Sequence, residues 1–457
     1  MSIDHQRRSA SAAPTPRRAR WHVSPVLGTL FVLGAGVACG GEDSTSVQTL
    51  ALEGEAPSAP EPAAPEPSDS EPSDSEPLDP GPIEPEPSEP EPLYVGATRV
   101  FSAGSSLGYL FAVPSLGSDG TVDLARSVEL ADAWVLGSGG PDFYTTTIFE
   151  PTIKSWHVTP EGKFEERATV SFVNEGVTGT YTAASVPLFS EEKSYFVDPG
   201  SLQVVVWSPR DMVFIRTIEL PAPDVPGFSP LADIAVRDDR VLVSIFWQSE
   251  DNTRNGDFVR LIAIDPVTDT IAEVSDDTRC GSFSPAGVTT DGTIYYSPWD
   301  YHTVLRGVFG AGYGTASCGL RVVPGAGTLD DAYEVDLSAL VGGRPAAGLQ
   351  LLDDERALIH VWHQELVDAT PDNWQETRFA PGYKWYSWSI GSSEATELPD
   401  QAPGAEGSGW RVIDGKVISF ANNAEYSETT LIELDETGRG RPGLVVPGWI
   451  TTMLRAY

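Results

Sequence analysis

Cysteine is scarce, with three in 457 residues. That is too few for a fold held by many disulfides. Basic residues are also short: 29 Lys plus Arg stand against 66 Asp plus Glu, a formal net charge of −37. A deficit of this size argues against nucleic acid or anionic lipid headgroups as partners. Past residue 38 no apolar run is long enough to span a bilayer. There is no G-x-S-x-G elbow, no phosphate-cradling glycine loop and no zinc-binding helix motif, so motifs assign no catalytic residues, no metal and no cofactor. Long apolar patterns at helical spacing are absent, which excludes a helical bundle.

What is present first is a leader. Residues 1–20 carry five Arg, and an apolar run from Trp21 to Ala38 (VLGTLFVLGAGVA at its heart) ends at Cys39-Gly40-Gly41. A basic start, an apolar stretch and small residues before a break make a secretory signal over 1–38. Gly36-Val37-Ala38-Cys39 resembles the bacterial lipobox, which implies cleavage before Cys39 and acylation of its thiol. Gly40 behind it resembles lipoproteins sent on to the outer membrane, facing the periplasm or the cell surface. If Cys39 carries lipid, Cys280 and Cys318 remain, and in an oxidising compartment such a pair is expected to bond.

Residues 39–92 read as a stalk. Positions 40–92 hold 15 acidic and no basic residues, with Pro every few positions. Such a segment has little to bury and repels itself, so an extended, disordered spacer on the order of 100 Å is expected. Residues 93–457 keep 24 basic and 50 acidic residues, net −26.

This last segment is rich in strand signals. Gln203–Leu220 (QVVVWSPRDMVFIRTIEL) shows two β-branched runs around a Pro-bearing polar break, the pattern of a hairpin. Six further units align with it: Tyr109–Leu130, Ile153–Phe172, Phe258–Asp276, Cys318–Leu337, Tyr383–Asp400 and Thr429–Gly448. Five shorter hairpins precede most of them, at Val186–Asp198, Ile234–Phe246, Gly287–Ser297, Leu349–Trp362 and Trp410–Phe420, with Asp-Gly or similar turns. Two hairpins in succession make a four-stranded antiparallel sheet. Seven such sheets set radially make an all-β, seven-bladed β-propeller. The competing arrangement, a pair of β-sandwiches, needs fewer and less regular repeats. Before Tyr109 only Thr98–Ala103 reads as strand, so the first blade lacks its innermost strand, and Trp449–Tyr457 is expected to supply it and close the ring. In that geometry Cys280 and Cys318 share a face with three long insertions, Gln248–Asp257, Pro298–Ser317 and Gln364–Gly382. Trp207 is expected between blades.

The insertions and their flanks carry Trp247, Trp299, Tyr301, His302, Trp362, His363, Trp374 and Trp385, an aromatic set on which a carbohydrate, aryl or catecholate ligand would stack. His360 and His363 with Asp300, His302 and Glu365 invite a metal reading, but residues three apart on a strand point to opposite faces, and no metal site is assigned.

Three segments, KSWHVTPEGKFEERATVSFVNEGV (154–177), KSYFVDPGSLQVVVWSPRDM (193–212) and RCGSF…DGTIYYSPWDY…SCGLRV (279–322), resemble the MxcI-type lipoproteins of myxobacteria, encoded alongside myxochelin siderophore synthesis. The resemblance implies an envelope protein tied to iron–siderophore handling, with a ferric siderophore or an envelope protein as partner and no catalytic residues to carry over. The expected function is therefore ligand binding by an anchored propeller. The alternative is a propeller hydrolase or lyase acting on extracellular lactones or polysaccharides.

Overall fold

The computed structural model describes residues 91–457 apart from 103–104, 132, 137–139, 148–149, 180–187, 238, 400 and 436–437. Cys39, the signal segment, the stalk as far as residue 90 and the start of the Val186 hairpin lie outside the described residues.

The reason this chain makes short, nearly all-apolar strands is visible at Gln203–Ser208, where every residue is buried. A strand covered on both faces reads as a continuous apolar run, and only a sheet packed between two others meets that condition. The strands fall into seven antiparallel sheets. The first contains β1 (Tyr94–Ser102), β2 (Ser105–Val113) and β3 (Val128–Leu130). The second is β4 (Ala133–Leu136), β5 (Asp142–Thr147), β6 (Thr152–Val158) and β7 (Phe164–Ser171). The third shows β8 (Ser194–Asp198), β9 (Gln203–Ser208) and β10 (Val213–Glu219) among the described residues. The fourth is β11 (Phe228–Arg237), β12 (Arg240–Ser249), β13 (Asn255–Asp265) and β14 (Thr270–Asp277). The fifth is β15 (Ser284–Val288), β16 (Ile294–Ser297), β17 (Cys318–Val322) and β18 (Val335–Asp336). The sixth is β19 (Ala346–Leu351), β20 (Arg356–Trp362), β21 (Tyr383–Ser389) and β22 (Thr396–Glu397). The seventh is β23 (Gly409–Ile413), β24 (Lys416–Asn422), β25 (Glu428–Leu434) and β26 (Gly440–Pro447). A final strand, β27 (Trp449–Arg455), joins the first sheet beside β1.

The seven long hairpins read from the sequence coincide with the outer halves of these sheets. Apolar clusters join each sheet to the next, and one of them joins the seventh to the first through Phe420, Val446, Phe111 and Ile450. The sheets therefore form a closed ring of seven blades. Closure is by β27, whose Arg455 and Met453 pair with Tyr94 and Gly96. β1 begins four residues earlier than the run at Thr98, because Tyr94, Val95 and Ala97 are buried between blades. Trp207, 1% exposed, lies between the second and third blades against Tyr144.

Two elements depart from the sequence reading. The hairpin β4–β5 was not foreseen, because β4 is only four residues long and β5 (DFYTTT) uses Thr where an apolar residue would signal burial. Its Thr145 and Thr146 are buried nonetheless. The insertion after β16 contains a nine-residue helix, α1 (Tyr301–Phe309). Its Tyr301, Val304, Leu305 and Val308 have the i, i+3, i+4, i+7 spacing of one helix face, a pattern too short to stand out.

Cys280 and Cys318 are bonded, with their Cα atoms 6.3 Å apart. The bond ties the entry to the fifth blade to its third strand. In the chain-entropy model a loop of 38 residues contributes about 4 kcal/mol.

Candidate functional site on the loop-bearing face

The three insertions meet on one face. Arg254 bridges to Gly314, and the Asn255 amide reaches Thr315 Oγ1 at 3.2 Å. α1 packs with Trp362, Tyr383 and Trp374, the last opening a four-residue helix α2 (Trp374–Thr377).

The aromatic set read from the sequence is distributed through this packing. Trp247 is 1% exposed, rests on Phe258 and donates its indole N–H to the Pro223 carbonyl. Trp362, Trp374 and Trp385 are buried, and Trp299 meets Phe246 edge to face. Large rings lower the free energy most when covered on both sides, and the loops cover them. Tyr301 and His302 stack on each other at 4.0 Å, both buried. Burial pushes the His302 imidazole down to about 3, with Arg378 acting in the same direction and Asp300 against it, so this ring is neutral. The five residues considered for a metal form two separate acid–imidazole pairs, His360 with Asp300 and His363 with Glu365, with His302 apart from both.

The first of those pairs lies at the centre of a polar cluster. Asp300 ends the turn before α1, and its Oδ2 is 2.8 Å from His360 Nδ1 on β20. Gly348 on β19 makes the approach possible. Its φ is +61°, and an added Cβ would stand 3.2 Å from the Asp300 Cβ and 3.3 Å from the His360 Cβ. The His360 ring is fully buried and sandwiched between Tyr383, at 4.4 Å, and Trp385, at 4.2 Å. Its Nε2 has no hydrogen-bond partner.

The segment between the sixth and seventh blades brings the second carboxyl. Glu406 Oε2 lies 3.1 Å from Arg378 Nε, without hydrogen-bond alignment, and the next residue, Gly407, presents its N–H to Asp300. The Arg378 guanidinium spreads over Tyr301 at 5.6 Å and Phe379 at 4.5 Å. Tyr426 donates its hydroxyl to the Glu406 carbonyl at 2.8 Å. The Tyr301 hydroxyl is buried without a partner.

The two carboxyls are driven apart. Burial works to raise Asp300, but the His360 hydrogen bond and charge, with the Gly407 and Tyr301 amides, outweigh it and hold the carboxyl below its ordinary range. At Glu406 burial prevails: it raises the carboxyl to about 8, with Asp300 adding to the rise and Arg378 opposing it. One acid is thus ionised and its neighbour protonated near pH 7. The Asp300, Glu406 and Arg378 side chains keep 20%, 17% and 16% of their surface exposed, enough to meet a small molecule. Asp300 and His360 were visible in the sequence as candidates. Arg378 and Glu406 were missed because each is a single polar residue in a loop, Arg378 in the insertion within the sixth blade and Glu406 between the sixth and seventh, and only the fold brings them together.

No protein-family model matches the sequence, and no curated protein does. Solved structures do. The periplasmic gluconolactonase PpgL of Pseudomonas aeruginosa is similar over 80% of this chain and 99% of its own, with a TM-score of 0.51 at 11% identity. A protein from Lactobacillus plantarum is similar over the same shares of both chains at a TM-score of 0.47 and 12% identity, and apo AztD from Citrobacter koseri over 80% of this chain and 98% of its own at 0.44 and 10%. The chain has a β-propeller fold. At these identities the likeness concerns the fold alone.

Proposed function

We propose that this protein is a ligand-binding lipoprotein of the outer membrane, anchored through Cys39, whose propeller takes a small, polyhydroxylated molecule at the Asp300–His360 and Arg378–Glu406 cluster. The observation that carries the reading is that His360 Nε2 and Tyr301 Oη are buried in this cluster without a hydrogen-bond partner, and that Glu406 Oε2 meets Arg378 only as an ion pair without hydrogen-bond alignment. Buried polar groups are nearly always satisfied, and a ligand hydroxyl both donates and accepts, so hydroxyls are the groups suited to such atoms. The lipobox and the acidic stalk support the anchor. The resemblance to the MxcI-type proteins supports a catechol-bearing siderophore as the ligand in iron uptake, with an envelope protein as the other partner to seek.

Calorimetric titration of the full-length chain in detergent, against iron-free and ferric catecholates and against neutral sugars and aldonolactones, tests the reading. Saturable binding of at least one, weakened at least about tenfold by Arg378→Gln, is expected. A folded protein that binds none of them refutes it.

The split of the two carboxyls favours a second reading, hydrolysis or elimination on lactones or polysaccharides. An ionised Asp300 would accept a proton while a protonated Glu406 donates one. The gluconolactonase among the structural neighbours names the substrate to try first. Turnover lost on Glu406→Gln with ligand binding kept would establish this reading over simple binding.

A further inference from the structure

The central channel of a propeller is lined by the inner strand of each blade, and in this ring the inner strands of the sixth and seventh blades are β19 and β23. Where they adjoin, Gln350 Oε1 accepts the Trp410 backbone N–H at 3.0 Å. That bond fixes the amide, because only its oxygen can accept, and leaves the Nε2 donors directed elsewhere. The next residue on β23, Arg411, is exposed and gives one N–H to the Trp410 carbonyl at 2.9 Å. Among the described residues it has no carboxylate partner. Burial nevertheless lowers its guanidinium below the ordinary value.

Between these two donors lies Gly409. A Cβ built there would stand 3.9 Å from Gln350 Nε2 and 4.0 Å from Arg411 Nη1, with nothing closer. The guanidinium and the amide therefore flank one vacant position, left open by the missing side chain. In a segment of net charge −26, with 50 acidic residues available to pair, an inner-strand guanidinium with no carboxylate partner among the described residues is open to an anion from outside.

We propose that Gln350, Gly409 and Arg411 form an oxyanion-binding site in the channel, suited to a carboxylate that lies in the guanidinium fork and accepts a further hydrogen bond from the Gln350 amide. The site is independent of the Asp300 cluster: it uses other residues and selects for charge, where that cluster selects for hydroxyls.

The test is calorimetric titration of the full-length chain in detergent with citrate, gluconate and inorganic phosphate at low ionic strength. A saturable isotherm is expected for a carboxylate, weakened at least about tenfold by Arg411→Gln. Gly409→Ala fills the vacant position without a clash and should weaken binding while leaving the unfolding transition in place. Arg216→Gln, on the exposed outer strand β10, should leave affinity within about twofold. Binding of phosphate alone would identify an inorganic anion and overturn the assignment to carboxylates. Absence of saturable binding, or equal weakening by Arg216→Gln, would overturn the site itself.

Discussion

Replacing Glu406 by Gln should change how stability depends on pH, and the sign is fixed by the site. In the unfolded chain this carboxyl titrates at its ordinary value near 4.5, and in the fold burial lifts it to about 8. Above pH 4.5 the unfolded chain releases the proton while the folded chain holds it, so the group's contribution falls as pH rises and levels off above pH 8. Each unit is worth about 1.4 kcal/mol, which gives about 5 kcal/mol across the window for a rigid site and roughly half that if water enters. Gln copies the protonated acid and cannot ionise. The variant should match the parent at pH 5 and exceed its stability by about 2–5 kcal/mol at pH 9. Denaturant unfolding of both proteins at unit intervals from pH 5 to pH 9 measures the difference directly, since all other groups cancel. Parallel curves would refute the reasoning. So would a Gln variant less stable at every pH, because that is the behaviour of an ionised Glu406 paired to Arg378.

Other outcomes follow from the ring. Serine at both Cys280 and Cys318 should lower the unfolding free energy by about 4 kcal/mol, the parent in reductant behaving alike, as denaturant midpoints will show. Trp207→Ala empties the seam between the second and third blades and should cost about 3–5 kcal/mol on the same assay. Ending the chain after Gly448 removes β27 and exposes the β1 edge to solvent. That protein should lose its cooperative transition and associate, read by calorimetry and light scattering.

The sequence carried the architecture further than the site. Hairpins such as Gln203–Leu220 repeat because every blade is buried on both sides, and that demand writes the same apolar runs seven times. Ring closure was legible because Trp449–Tyr457 was a strand without a partner. The disulfide followed from placing Cys280 and Cys318 on one face. Aromatic loops, by contrast, read the same whether the rings face a ligand or a neighbouring loop, and Trp247, Trp362, Trp374 and Trp385 are covered. Asp300 and His360, 60 residues apart, drew attention as potential metal ligands, whereas the fold makes them a hydrogen-bonded pair. Arg378 and Glu406 left no local signal. Their roles come from burial and from each other, and neither exists until blades five, six and seven are assembled.

The central claim is that buried, unpartnered polar atoms at this face await a ligand's hydroxyls, and Tyr301→Phe tests it with a single atom. The ring and its packing against His302 and Arg378 stay, and only the orphan hydroxyl is removed. For the ligand that binds the parent chain, the isotherm of the Phe variant should weaken by about tenfold while stability is unchanged or slightly higher. An affinity equal to the parent's would contradict the account.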